Sequence, residues 1–108
     1  MTVKELSEKL SLKALVESDT QRDVNGCYAG DLLSWVMGRA EADNVWVTIM
    51  TNVNIVAVAC LTDVSCIIIA EKAEIDGEVI DRAREKGINI YTSEKTVYAL
   101  CSEISKVM

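Results

Sequence analysis

Three polar turns carry the residues best placed to do chemistry. Ala29-Gly30-Asp31, Met50-Thr51-Asn52 and Thr92-Ser93-Glu94 each stand between an apolar run and a helical pattern. At a strand-to-helix joint the first backbone N–H groups of the helix lie unpaired and suit an anion. Gly30 lets the backbone come close to a ligand, and Thr51, Asn52 and Ser93 offer hydroxyl or amide groups. The competing reading is that all three turns are helix caps. Asp31 and Glu94 would also repel phosphate, so a nucleotide is not the favoured occupant of such an edge.

Enzymatic chemistry finds less support. A nucleophile needs an adjacent base, yet the 108 residues contain no histidine, and no serine sits in a G-x-S-x-G setting. Asp31 and Asp63 are available carboxylates, but Asp31 at a helix start is explained by capping and the helix dipole. Cys27, beside the glycine turn, has no partner in the sequence to lower its pKa. The four cysteines, Cys27, Cys60, Cys66 and Cys101, form no C-x-x-C pair, and a zinc site would need all four thiolates. Cys60 and Cys66 lie in apolar surroundings, where cysteine behaves as a small hydrophobe. Neither a metal nor a cofactor is implied.

Composition narrows the classes further. A net charge of −6 with scattered lysines and arginines argues against nucleic acid, whose phosphates demand clustered positive charge. The N-terminal residues MTVKELSEKL lack the apolar core of a signal peptide. The most apolar region, Val53 to Ala70, is broken by Thr62, Asp63 and Ser65, which argues against a membrane span and for a buried helix followed by a buried strand. The expectation is a cytoplasmic protein of one domain, residues 1–108, its core built from Val, Ile, Leu, Ala and Met.

The elements that position the turns follow from periodicity. Thr2 and Glu5 fit a capping box for a helix over 3–10. Leu15 and Val16 suggest a short strand and Val24 to Tyr28 a second, with Gly26 marking close backbone approach. Asp31 opens a helix to Gly38 that turns Leu32, Leu33, Val36 and Met37 inward. VWVTIM, Val45 to Met50, is a strand. Thr51 or Asn52 caps a helix over Val53 to Leu61 that is apolar nearly all round, which requires central placement or a partner subunit. Cys66 to Ala70 reads as a strand covered on both faces. Asp76 caps a helix from Gly77 to Lys86 with an outer Glu78–Arg82 pair, and Gly87 stops it. Ile88 to Tyr91 is the next strand, and Ser93 opens a last helix carrying Val97, Leu100, Cys101 and Ile104 at helical spacing. This alternation predicts a three-layer α/β/α sandwich around a mostly parallel sheet of about five strands, its order left open.

Within Gln21 to Gly38, the residues Arg22, Val24, Gly26, Tyr28, Asp31, Leu32, Leu33 and Ser34 resemble the identifying segment of the DRTGG domain, a relative of the N-terminal domain of HPr kinase/phosphorylase. Val47 to Ala59 and Ile67 to Lys72 look similar as well. The resemblance implies an α/β/α fold like the N-terminal domains of certain peptidoglycan ligases. It also implies a regulatory or interaction role, since such domains accompany CBS-domain pyrophosphatases and phosphotransacetylases without doing their chemistry. No G-x-x-x-x-G-K-[ST] occurs, so the kinase domain is absent. One departure is Gln21, where the family usually has an acid; if that acid pairs with the following arginine, Arg22 here loses a partner.

The combined expectation is a non-catalytic regulatory or interaction domain that forms a homodimer, with a protein partner in view. The apolar helix 53–61, with Trp35 and Trp46 near it in the chain, supplies the dimer face. The alternative is a sensor of a small-molecule ligand, a nucleotide or sugar phosphate, at the C-terminal edge of the sheet. The residues assigned to that edge are Arg22, Gly30, Asp31, Ser34, Thr51, Asn52 and Ser93.

Overall fold

The computed structural model describes residues 1–108. Five helices and five strands follow in chain order: α1 Val3–Lys9, β1 Lys13–Val16, β2 Cys27–Ala29, α2 Leu33–Arg39, β3 Val45–Thr48, α3 Asn54–Thr62, β4 Cys66–Ile69, α4 Gly77–Lys86, β5 Ile90–Thr92 and α5 Val97–Val107. They form one sheet of order β1-β5-β4-β3-β2, in which β2 to β5 run parallel and β1 pairs antiparallel with β5. The expected α/β/α sandwich is therefore present, with the strand order now fixed.

Each parallel strand is laid beside its predecessor in the same direction. Right-handed crossovers then place α2, α3 and α4 together on one face. Val36, Ile55, Val56, Ala59, Val79 and Ala83 from these helices bury against Trp46, Ile67, Ile69 and Ile90 of the sheet. On the other face Val3 and Leu6 of α1, Leu10 at its C-cap, and Leu100 and Ile104 of α5 cover Val45, Val47, Cys66, Ile68 and Tyr91. Strands β3 and β4 are buried at every residue, as a central pair covered on both faces must be. Each such Val or Ile contributes about 1.5–3 kcal/mol relative to exposure.

The expected capping box is made. Thr2 Oγ1 accepts from Glu5 N at 3.2 Å and Thr2 N donates to Glu5 Oε1 at 3.0 Å. Gly87 ends α4 in the left-handed region at φ +69°. Gly26, at φ +77°, would place a Cβ 3.0 Å from Asn44 Nδ2, so the close approach read from the sequence is real.

Several local expectations are corrected. Gly26 breaks the extended run, so β2 begins at Cys27 rather than Val24. Helix α2 starts at Leu33, its N-cap is Leu32, and no side chain caps it. Of its expected inner residues Val36 is fully buried and Leu33 half-buried, whereas Leu32 and Met37 are exposed, because a seven-residue helix at the sheet edge covers little. Asp76 stands at the N-cap of α4 without a side-chain hydrogen bond, and Arg82 pairs with Glu85 at 3.6 Å in place of Glu78. Thr96, not Ser93, caps α5, its Oγ1 accepting from Ala99 N at 3.1 Å. Cys60 lies exposed, because α3 turns that side outward.

No helix is long and apolar enough to cross a membrane.

Candidate functional site

Loops that follow parallel strands gather at the C-terminal edge of the sheet, the usual place for ligands in open α/β folds. The three polar turns do lie along this edge, but they differ in what remains free. Gly30 N donates to Val47 O at 3.1 Å, and its carbonyl accepts Trp46 Nε1 at 3.0 Å, so both of its backbone groups are in use. Asp31 is not a helix cap. Its Oδ1 accepts from Thr48 Oγ1 at 3.0 Å and from Ile49 N at 3.1 Å, tying the β2–α2 turn to the end of β3. The Ile49 amide, which an anion would need, is thus filled by a carboxylate of the protein itself.

Asn52 Oδ1 accepts from Asn54 N at 2.8 Å, an Asx turn at the start of α3. Thr51 is half-buried beside it, and Ser34 lies exposed on α2. The β2–β3 end of the edge is therefore closed largely by its own side chains.

The β4–β5 end is different. Between the β4–α4 loop, the β5–α5 loop and the start of β1 lies a cavity of about 550 Å³, lined by Ser11, Lys13, Lys72, Ser93 and Lys95 above a floor that includes Leu15, Ile75 and Ile80. The volume falls in the range of small-molecule sites. Ser93 is the one residue of the expected set that lines it.

Backbone conformation builds the rim of this cavity. Glu71 and Lys72 are successive left-handed residues, at φ +59° and +58°, a conformation that side chains disfavour. Their amides donate to Lys95 O at 2.9 Å and Ser93 O at 3.0 Å, which laces the two loops together and holds the turn. Ser93 Oγ accepts from Lys95 N at 3.1 Å. Because β1 runs antiparallel to β5, Lys13 sits opposite Thr92, and a third lysine joins the two from the loops.

The charges here are loosely held. Lys72 Nζ lies 3.5 Å from Glu94 Oε1 with both side chains largely exposed, and Lys95 Nζ is 2.9 Å from Glu103 Oε1. Exposed pairs of this kind contribute about 0–1 kcal/mol and give way readily to a better anion. Glu74 and Glu94 also border the cavity, so its net positive charge is small. Sequence reading missed this cluster because Lys13, Lys72 and Lys95 are far apart in the chain. Only the antiparallel addition of β1 beside β5 brings the first to the others.

Arg22 lies at the opposite, N-terminal edge. Its Nε and Nη2 donate to Asp43 Oδ1 at 2.9 and 2.8 Å, and Nη2 also meets Asp63 Oδ1 at 2.9 Å and the Asp63 carbonyl. The departure at Gln21 thus leaves Arg22 paired nonetheless, by acids that precede β3 and β4. Both acids are left-handed, Asp43 at φ +68° and Asp63 at +60°. Arg22 fixes these two turns in place and is distant from the cavity.

Asn89, which the sequence did not single out, does similar work. Buried at the N-terminal edge, it accepts from Ser18 N at 2.7 Å and donates to Asp19 O at 2.8 Å and Ser65 O at 3.1 Å. These bonds hold the segment that carries the chain from β1 on one edge of the sheet to β2 on the other.

Trp46 does not reach the surface at all. It is fully buried, so it leaves the dimer face expected of it, whereas Trp35 is 53% exposed with the Arg39 guanidinium 3.8 Å over its ring.

No family model and no curated protein matches the chain. Among solved structures, the fold is similar to the CBS and DRTGG domains of the regulatory region of a Clostridium perfringens pyrophosphatase, complexed with its activator diadenosine tetraphosphate. The match has a TM-score of 0.74 at 13% identity and covers 95% of this chain but 45% of the other.

Proposed function

We propose that this chain is a non-catalytic regulatory domain of the DRTGG type, which senses a small phosphorylated molecule in the cavity between β1, β4 and β5. The observation that carries the reading is the meeting of Lys13, Lys72 and Lys95 with Ser11 and Ser93 around that cavity, at the C-terminal edge of the sheet. Lysines on loosely held ion pairs suit a phosphate as point charges, and the apolar floor suits a base or sugar face. The resemblance in fold to a regulatory region that binds a dinucleotide agrees with a sensing role.

Thermal-shift titration with ATP, diadenosine tetraphosphate and glucose 6-phosphate tests this reading. A ligand at about 100 times its Kd stabilises the fold by about 2.7 kcal/mol. Lys72→Gln combined with Lys95→Gln should weaken binding at least about tenfold, the equivalent of about 1.4 kcal/mol. No shift with any of the three, or a shift that the double variant retains, refutes it.

A second reading is self-association through α3. Ala57, Cys60 and Leu61 form an apolar outer stripe on this helix, with Leu61 74% exposed. This is the surface that the all-round apolar sequence of 53–61 leaves uncovered after α2 and α4 have packed on its flanks.

A further inference from the structure

We propose that Cys27 and Cys101 form a reversible disulfide that staples the edge strand β2 to helix α5, making the free edge of the sheet responsive to a low-molecular-weight disulfide. The ladder register sets Cys27 opposite Val45 and Val45 opposite Cys66, so Cys27 faces the layer that holds α1 and α5. Cys101 packs against the core from α5, beside the buried Leu100 and Ile104. Strand and helix leave a groove of about 310 Å³ between them, lined by Cys27, Ala29, Cys101, Ile104 and Met108.

Both cysteines line this one groove, from the strand side and the helix side. Desolvation, with Cys101 adding to it, pushes the Cys27 thiol up to about 12. The other two cysteines are excluded by position, since Cys66 is sealed in the core and Cys60 lies outward on the helix α3 across the sheet. Cys27 is reachable from solvent. Strand β2 has three residues and a neighbour on one side alone, which gives it the latitude to bring sulfur to the bonding distance of about 2.05 Å.

The step is a thiol–disulfide exchange. The Cys27 thiolate attacks glutathione disulfide, forms a mixed disulfide and expels one glutathione thiolate. The Cys101 thiolate then attacks Cys27 Sγ and expels the second. Two protein thiols lose two electrons and two protons, and one glutathione disulfide is reduced to two thiols. Because the reactive thiolate is scarce near neutrality, the rate should rise about tenfold per pH unit from 7 to 9.

The test uses the full chain carrying Cys60→Ser, so that no intermolecular disulfide forms, incubated with glutathione disulfide at pH 8.5. The expected product is an intact chain lighter by two hydrogens, with Cys27 and Cys101 in one cross-linked peptide pair. Dithiothreitol should reverse it, and the thermal midpoint should rise on oxidation. Adding Cys101→Ser should stop the reaction at a glutathione adduct on Cys27. A parent chain that itself stops at the adduct, links Cys66 or stays unmodified overturns the proposal.

Discussion

Arg22 grips a single carboxylate oxygen of Asp43 through both Nε and Nη2, across 21 positions of sequence. The contact joins the segment that crosses beneath the sheet to the turn before β3, and Asp63 adds the turn before β4. Charge-assisted bonds of this kind at a partly covered site are structural, and their loss should be felt in stability alone.

Arg22→Leu removes both acids' partner and should lower stability by about 1–3 kcal/mol, read as a lower urea midpoint at unchanged m-value. Binding of any phosphorylated ligand should be unaffected, because the cavity is at the other edge. A loss of affinity without a loss of stability would contradict this division of the two edges.

Tyr91 of β5 and Glu17, just past the neighbouring β1, form a second contact between segments far apart in sequence, at 2.7 Å, with the phenol donating. The bond to Tyr91, with Lys4 assisting, holds the Glu17 carboxyl below its ordinary value of 4.5. Burial and the same carboxylate push the Tyr91 phenol up. A carboxyl lowered by folding contributes stability that is full above its ordinary value and is lost as pH falls through the folded value. A phenol raised by folding contributes stability that is full below about pH 10 and is lost as pH rises beyond it. Tyr91→Phe should therefore flatten both limbs of the stability–pH curve, measured by urea denaturation from pH 3 to 11. Unchanged limbs would refute the pairing.

If α3 is the dimer face, Leu61→Asp should convert the protein to a monomer at tens of micromolar, roughly where a micromolar interface is populated. The fold should survive, since the side chain is already exposed. Light scattering decides it: a wild-type protein that is itself monomeric at that concentration rejects the α3 reading.

The sandwich and its central strands were legible because burial on both faces forces the apolar residues Val45, Trp46 and Val47 of β3 and the unbroken apolar run Cys66–Ile69 of β4. Helix ends were legible where the cap is made by neighbours in sequence, as with Thr2 and Glu5 or at Gly87. Asp31 misled for the opposite reason. An acid at a strand-to-helix joint suggests a cap, but its partners Thr48 and Ile49 lie at the end of another strand and just beyond it. The cavity was hidden for the same cause, because strand order decides which of the scattered lysines become neighbours. Of the expected edge, Ser93 alone falls where the cavity is.

The regular progression from β2 to β5 bears on how the chain assembles. Every parallel pair joins strands that are consecutive in sequence, each closing a loop of one helix. The exception is β1, whose partner residues Lys13 and Thr92 close a loop that spans most of the molecule. Loop-closure entropy makes such a contact slow to form. The parallel ladder should therefore nucleate around β3, α3 and β4, with β1 docking last. The lysine cavity, which borrows Lys13 from that strand, then exists only in the fully assembled domain, and ligand binding would report on completed folding.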